Sequence, residues 1–295
     1  MQRSRRRASH DAATTRQTTM PETDTMTERQ FFAASDSVEI AYYIDDFTDP
    51  WKQSQTLFIT HPAMSSARRL FAFVPHLARH YRVVRMDMRG HGGSPVPPAH
   101  LPLTRERLMQ DLLELQSHLG VERAHFLGIA GGGYLPQWLA IARPERVLSI
   151  LLFASKPGLK HSQAASWIPR IESQGLRAFL METIGDRFPP NYADIAHIAW
   201  FVDEILRNDV EFTKRFILTL TGLYWMDEVG AIKCPTLIVA PGEEPIGDGA
   251  AYEEMHRRIP ASELLIYEGD RHNIGDYLAD RCATDALNFL QRHFP

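Results

Sequence analysis

The residues Gly128-Ile129-Ala130-Gly131-Gly132-Gly133 end a short run of β-forming side chains, Ala124–Ile129, and lead into a stretch of helical spacing. A sharp turn from strand to helix needs this composition. A strained central residue is tolerated only where the residues two places before and after it lack bulk. Gly128 and Gly132 stand at those places. With serine at the centre the turn would read G-x-S-x-G and would hold a hydroxyl nucleophile above a sheet, with the next backbone N–H directed at a developing oxyanion. The centre is Ala130, which carries no nucleophile. A dinucleotide-binding loop is the other chemistry open to such a turn, but its G-x-G-x-x-G spacing fails. Position 130 is Ala, and Gly131 with Gly133 would call for a third glycine where Pro136 stands. His76 and His80 have the i, i+4 spacing of metal ligands, yet no third ligand accompanies them, and neither a metal nor a cofactor is expected.

The elements that must position this turn alternate between strand and helix, the pattern of an α/β domain around a mostly parallel sheet. Residues 31–34 and Glu39–Asp45 read as an opening pair of strands with Asp36-Ser37 as their turn. Thr56–Thr60 and residues 82–87 are short buried strands, separated by a helical stretch carrying Leu70, Phe73 and Leu77. Leu108, Leu112, Leu115 and Leu119 fall at i, i+4, i+7 and i+11, which predicts a helix over 104–119 stopped by Gly120. Further strands are expected at 147–154, 236–240 and 263–267, with helices over 132–142, 249–258 and 277–293. Between 156 and 229 the strands disappear. Ile195, Ile198, Val202, Ile205 and Leu206 form one helical stripe there, and Phe212, Phe216, Leu220 and Leu223 another.

Four loops, in chain order, resemble those of the α/β-hydrolase fold family, and the resemblance spans about residues 31–294. His61-Pro62-Ala63-Met64-Ser65-Ser66 is similar to the family's His-Gly oxyanion loop, with Pro62 in place of the usual glycine. Asp87-Met88-Arg89-Gly90-His91-Gly92-Gly93-Ser94 matches its D-x-R-G-H-G-x-S turn, read as scaffold for both Arg89 and His91. The turn at Ala130 is the third. Gly269-Asp270-Arg271-His272-Asn273 follows the last strand, where the family keeps its catalytic histidine. The resemblance implies a mostly parallel central sheet flanked by helices, with a helical cap inserted in it. The expected divisions are an extension over 1–30, the first part of the core over 31–155, the cap over 156–229 and the second part of the core over 230–295.

The same resemblance implies a role for each site residue. His272 is the expected general base and then general acid. Its carboxylate should come from the loop after strand 236–240, where Glu244 leads because the family often sets its acid directly before proline; Asp248 and Glu243 stay open, and Asp248 could instead cap the next helix. Gly131 with Ala63 or Met64 would supply an oxyanion hole from backbone N–H groups, which the loss of a nucleophile does not remove. His61 is expected near the substrate as a structural support, and Trp200 and Trp225 of the insert are expected to line an apolar pocket. The segment PQWLA, residues 136–140, resembles the helix after the turn in enol-lactone and related ester hydrolases.

Composition bounds the rest. With 295 residues, 44% hydrophobic and 23% charged, the chain has the make-up of an ordinary globular protein, and 32 basic against 36 acidic side chains disfavour nucleic acid as a partner. Two cysteines, Cys234 and Cys282, build no disulfide framework, so a reducing, cytoplasmic setting is expected. The apolar run 147–154 is far short of the roughly 20 residues of a membrane span. Residues 1–30, with Arg3, Arg5, Arg6 and Arg7 and little to bury, read as a disordered extension or an overlong start, with Met20 and Met26 as other initiators. The expected partner is a small hydrophobic ester or lactone, and homo-oligomer formation is left open. The expected function is ester or lactone hydrolysis in which Ala130 replaces the serine, most simply as an inactivated variant. The alternatives are a lyase or cofactor-free oxygenase type of enzyme using His272 as base, and a catalytically silent binding protein.

Overall fold

Each run of β-forming residues becomes a strand of one eight-stranded sheet. The structure is a computed structural model and describes residues 27–159 and 162–295. The strands are β1 (Gln30–Ala33), β2 (Glu39–Asp45), β3 (Thr56–Thr60), β4 (Arg82–Met86), β5 (Ala124–Ile129), β6 (Val147–Phe153), β7 (Thr236–Pro241) and β8 (Ser262–Tyr267). Their spatial order is β1-β2-β4-β3-β5-β6-β7-β8. The pairs β1–β2 and β2–β4 are antiparallel and all the others parallel. Ser37 takes the left-handed backbone (φ 67°) that closes the β1–β2 turn, while Asp36 Oδ1 accepts the Val38 N–H at 3.3 Å.

β3, β5 and β7 are buried along their whole length, as strands covered on both faces must be. Phe58 and Phe126 point into one core, against α2 (Arg105–His118), α3 (Tyr134–Ala142) and α8 (Ala250–Arg258). Leu57, Ile59 and Leu127 point into the other, against α1 (Val74–Leu77) and α10 (Ala279–His293), which α9 (Ile274–Tyr277) precedes. Leu70, Phe73 and Leu77 are fully buried, but the stretch that carries them is a 3₁₀ helix, Ala67–Phe73, running into the single turn of α1. Pro75 lies in the first turn of α1, where its missing N–H costs no helical bond.

Between β6 and β7 the chain runs through α4 (Trp167–Gln174), α5 (Leu176–Glu182), α6 (Ile195–Leu206) and α7 (Val210–Thr221). These helices share a third apolar cluster that includes Ile168, Phe179, Phe201, Val202, Ile205 and Ile217. Met64, from the loop after β3, inserts into the same cluster. The expected N-terminal extension lies largely outside the described residues. Its last four residues belong to the fold: Gln30 opens β1, Thr27 Oγ1 bonds the Asp45 carboxylate, and Arg29 Nε donates to the Tyr43 hydroxyl at 2.9 Å. Composition does not reveal such residues, because they are held by polar and backbone contacts with no apolar pattern of their own.

Candidate active site

The strand-to-helix turn has the geometry its glycines imply. Ile129 is still extended, Ala130 switches to φ 47°, and a 3₁₀ turn over Ala130–Gly133 leads into α3. A Cβ on Gly128 would lie 2.3 Å from Gly133 Cα, and one on Gly132 would lie 2.3 Å from the His61 carbonyl oxygen. Both obstacles are backbone, so neither can move aside. Gly132→Ala is therefore expected to destabilise the fold by about 2–4 kcal/mol, read as a lower urea midpoint with an unchanged slope. The Thr60 hydroxyl donates to Gly132 O at 2.8 Å and ties the end of β3 to this turn.

Across from the turn lies the loop after β3. The space a Gly131 Cβ would fill is 3.1 Å from Ala63 Cβ and 3.4 Å from Ala63 N, so these two backbones are neighbours. His61 is buried beneath them. Its Nε2 accepts the Met88 N–H at 3.0 Å, which leaves Nδ1–H to donate to Pro62 O at 2.8 Å, and burial holds the ring well below its ordinary pKa. His61 is thus a neutral brace. Asn208, just after α6, holds the loop from the other side: Nδ2 donates to Met64 O at 3.2 Å and to Ser65 O at 3.3 Å, and Oδ1 accepts the Gly92 N–H at 2.9 Å.

The Asp87–Ser94 turn serves the same scaffold. Asp87 accepts the N–H groups of Ala67 (2.6 Å) and Gly93 (2.9 Å), and Arg89 makes paired bonds of 2.6 and 2.7 Å to Asp111. His91 packs edge-on against Phe216.

His272 follows β8 and its Nδ1 lies 2.9 Å from Glu244 Oε2 and 3.1 Å from Oε1. The Glu244 side chain is 1% exposed. It also accepts the Tyr252 hydroxyl at 2.8 Å and the Ile246 N–H at 2.9 Å, with Lys156 Nζ 3.3 Å away. Burial opposes charge on this carboxyl, but His272, Lys156 and the Tyr252 bond outweigh it and hold it down to about 2. The two other acids of the loop lie elsewhere. Glu243 pairs with Arg271 at 2.8 Å, and Asp248 Oδ1 accepts the Ala250 N–H at 3.0 Å at the start of α8.

Ala130 and His272 line one pocket, with an empty volume of about 760 Å³ including its mouth. Ala63, Met64 and Gly131 line it too, and the helical segment adds Trp167, Phe201, Ile205 and Leu220. Of four non-glycine residues with left-handed backbone among those described, three border this space: Met64 (63°), Ala130 (47°) and Ala154 (50°). Strained backbone of this kind concentrates where a site requires it. Three expected pocket residues are not among the lining. His61 lies under the loop. Trp225 is buried among Tyr134 and Trp138 with Nε1 donating to Gln137, and Trp200 packs outside against the exposed Phe71. An aromatic residue on a helix does not disclose which face it shares with a pocket.

The pocket also contains residues that sequence reading passed over: Arg69, Lys156, Arg187, Asn273 and Asp276. Arg69 is joined to Asp276 by bonds of 3.0 and 2.6 Å. Asn273 closes the loop that carries His272, and the others sit in no motif. Among the described residues no group of three or more His, Cys, Asp and Glu side chains is arranged to hold a metal, and no helix is long and apolar enough to cross a membrane.

Comparison with known proteins agrees with this fold. The family model for the alpha/beta hydrolase fold matches residues 60–184. A 3-oxoadipate enol-lactonase of Acinetobacter baylyi is 26% identical over 193 residues, covering 64% of this chain and 71% of that protein. A hydrolase from Pseudomonas aeruginosa PA01 superposes with a TM-score of 0.79 at 27% identity, over 89% of this chain and 98% of the other. The enol-lactonase from Burkholderia xenovorans LB400 shares the fold, with a TM-score of 0.80 at 22% identity over 89% of this chain and 100% of its own. The chain has the α/β-hydrolase fold, and its middle part matches that family's model. By this likeness it is a hydrolase-type enzyme, with enol-lactonase relatives at 26% identity.

Proposed function

We propose that this chain carries the machinery of a carboxylic ester or lactone hydrolase for small substrates, with Ala130 at the position of the nucleophile. The observation that carries the reading is that Ala130, on its strained turn, shares a pocket with His272, whose Nδ1 is held by the buried carboxylate of Glu244. Glu244 fixes the imidazole so that Nε2 is the nitrogen left to exchange a proton in the pocket. The adjacent backbones of Gly131 and Ala63 supply N–H groups for an acyl oxygen that becomes negative. Helices α4–α7 act as a cap that makes one wall of the pocket apolar. A substrate can be bound and its carbonyl polarised, but no covalent acyl intermediate can form at Ala130.

The test is covalent labelling. Ala130→Ser treated with a fluorophosphonate, which reacts with activated serine, is expected to gain one adduct at position 130 by mass spectrometry, and the unaltered chain none. An unlabelled Ala130→Ser protein that remains folded would sink the reading. The absent nucleophile beside an intact His272–Glu244 pair supports a second reading, in which His272 withdraws a proton from an acidic carbon or hydroxyl of the substrate without acyl transfer.

A further inference from the structure

Arg187 is a buried charge that the proposed acyl chemistry does not use. The residue is 3% exposed and lines the pocket. Its Nη1 donates to Thr183 O at 2.8 Å and to Thr183 Oγ1 at 2.6 Å, and among the described residues the guanidinium makes no other hydrogen bond and no ion pair. The two other cations of the pocket are matched, Arg69 by Asp276 and Lys156 by Glu244. Three positive charges thus meet two carboxylates. Burial brings the Arg187 guanidinium down to about 10; Asp186 acts on it in the opposite sense from a distance, while Arg69 and Arg170 add to the effect. A buried guanidinium without a counterion is costly, and an anion from outside would offset that cost.

A second donor points the same way. Asn273 is 8% exposed, lines the same pocket, and its Nδ2 is buried with no hydrogen-bond partner. Its backbone N–H donates to Arg187 O at 3.0 Å, which holds the two residues side by side next to His272. Trp167 and Phe179 each have their ring centre 5.7 Å from Arg187 Cζ, which keeps the guanidinium among apolar walls. The geometry points to a carboxylate subsite made by Arg187 and Asn273, so that the substrate carries a free carboxylate in addition to the ester or lactone carbonyl. This rests on the hydrolase reading for the reacting carbonyl, and on the unmatched donors for the carboxylate. A guanidinium fork suits a planar carboxylate, and one unmatched positive charge balances one negative charge, whereas a phosphate dianion would leave an excess charge in a poorly solvated site.

Calorimetric titration of the unaltered chain with monomethyl glutarate, which has one ester and one carboxylate, and with dimethyl glutarate, its neutral counterpart, tests the subsite. The anionic ester is expected to bind about tenfold more tightly or better. Arg187→Gln should bring the two esters within about twofold of each other by weakening the anionic one. Should Arg187→Gln fail to fold, Asn273→Ala keeps the guanidinium and is expected to reduce the preference by about threefold or more. Equal binding of both esters by the unaltered chain, binding of neither at millimolar concentration, or a preference that survives Arg187→Gln would each overturn the proposal. Turnover does not enter this readout: the hydrolase reading fails if Ala130→Ser cleaves nothing, and the subsite fails if the charge preference is missing.

Discussion

Ala130→Ser is expected to raise kcat/KM for short-chain esters or lactones by about 10³-fold or more over the unaltered chain. The backbone at position 130 already has φ 47°, so the substitution adds one hydroxyl to an existing Cβ and asks for no new conformation. That hydroxyl enters the pocket where His272, fixed by Glu244, can take its proton. In a serine protease, removal of the nucleophile alone costs about 2 × 10⁶ in kcat, because nucleophile, base and orienting acid act as a unit. A rescue of about 10³ therefore demands only part of a well-aligned site. Initial rates with p-nitrophenyl acetate and γ-butyrolactone measure it. Adding His272→Ala to Ala130→Ser should return the rate to that of the unaltered chain. If Ala130→Ser is no faster on any acyl substrate, while His272→Ala in the unaltered chain abolishes a proton transfer, the second reading replaces the first.

How much of this was legible in the sequence depends on how local each feature is. Strand periodicity placed all eight strands within a residue or so at either end, because buried strands such as Thr56–Thr60 are continuous apolar runs with polar flanks. The turn at Ala130 was legible because its constraint is steric and acts over five residues, Gly128 to Gly132. Glu244 could be ranked above Asp248 and Glu243 only by resemblance; the distinguishing contacts come from Tyr252 in α8, Lys156 after β6 and His272 after β8, of which only Tyr252 is close to it in sequence. Arg187, Arg69 and Asp276 gave no signal for the same reason, and Asn273 was visible only as the end of the His272 loop. A charge on a polar stretch looks solvated until two distant segments bury it, and here the segment after α5 meets the loop after β8 through the bond from Asn273 N to Arg187 O. The expected aromatic pocket erred for the converse reason. Trp225 has the composition of a pocket wall but satisfies its N–H on Gln137 inside the core, where a buried indole is best accommodated.

Glu244→Gln should lower both the rescued activity and the stability, and the two losses should differ in their dependence on pH. Within Ala130→Ser, an amide in place of the carboxylate no longer fixes the imidazole tautomer or stabilises the imidazolium, and kcat should fall by about 10²–10⁴-fold. For stability, the carboxyl sits at about 2 in the folded chain against an ordinary 4.5. A depressed carboxyl contributes stability that is fully present above its ordinary value and is lost as the pH falls through its folded one. That difference corresponds to about 3 kcal/mol. Urea unfolding at neutral pH should show a gap of this order between the parent and Glu244→Gln, and the gap should close as the pH is lowered from 4.5 towards 2. Glu243→Gln is the control. It removes a half-exposed charge paired with Arg271 and should change stability by less than about 1 kcal/mol. A gap for Glu244→Gln that stays constant down to pH 2 would mean that the carboxyl contributes by shape and hydrogen bonding alone. In that case the charge that holds His272 in place would have to come from another group.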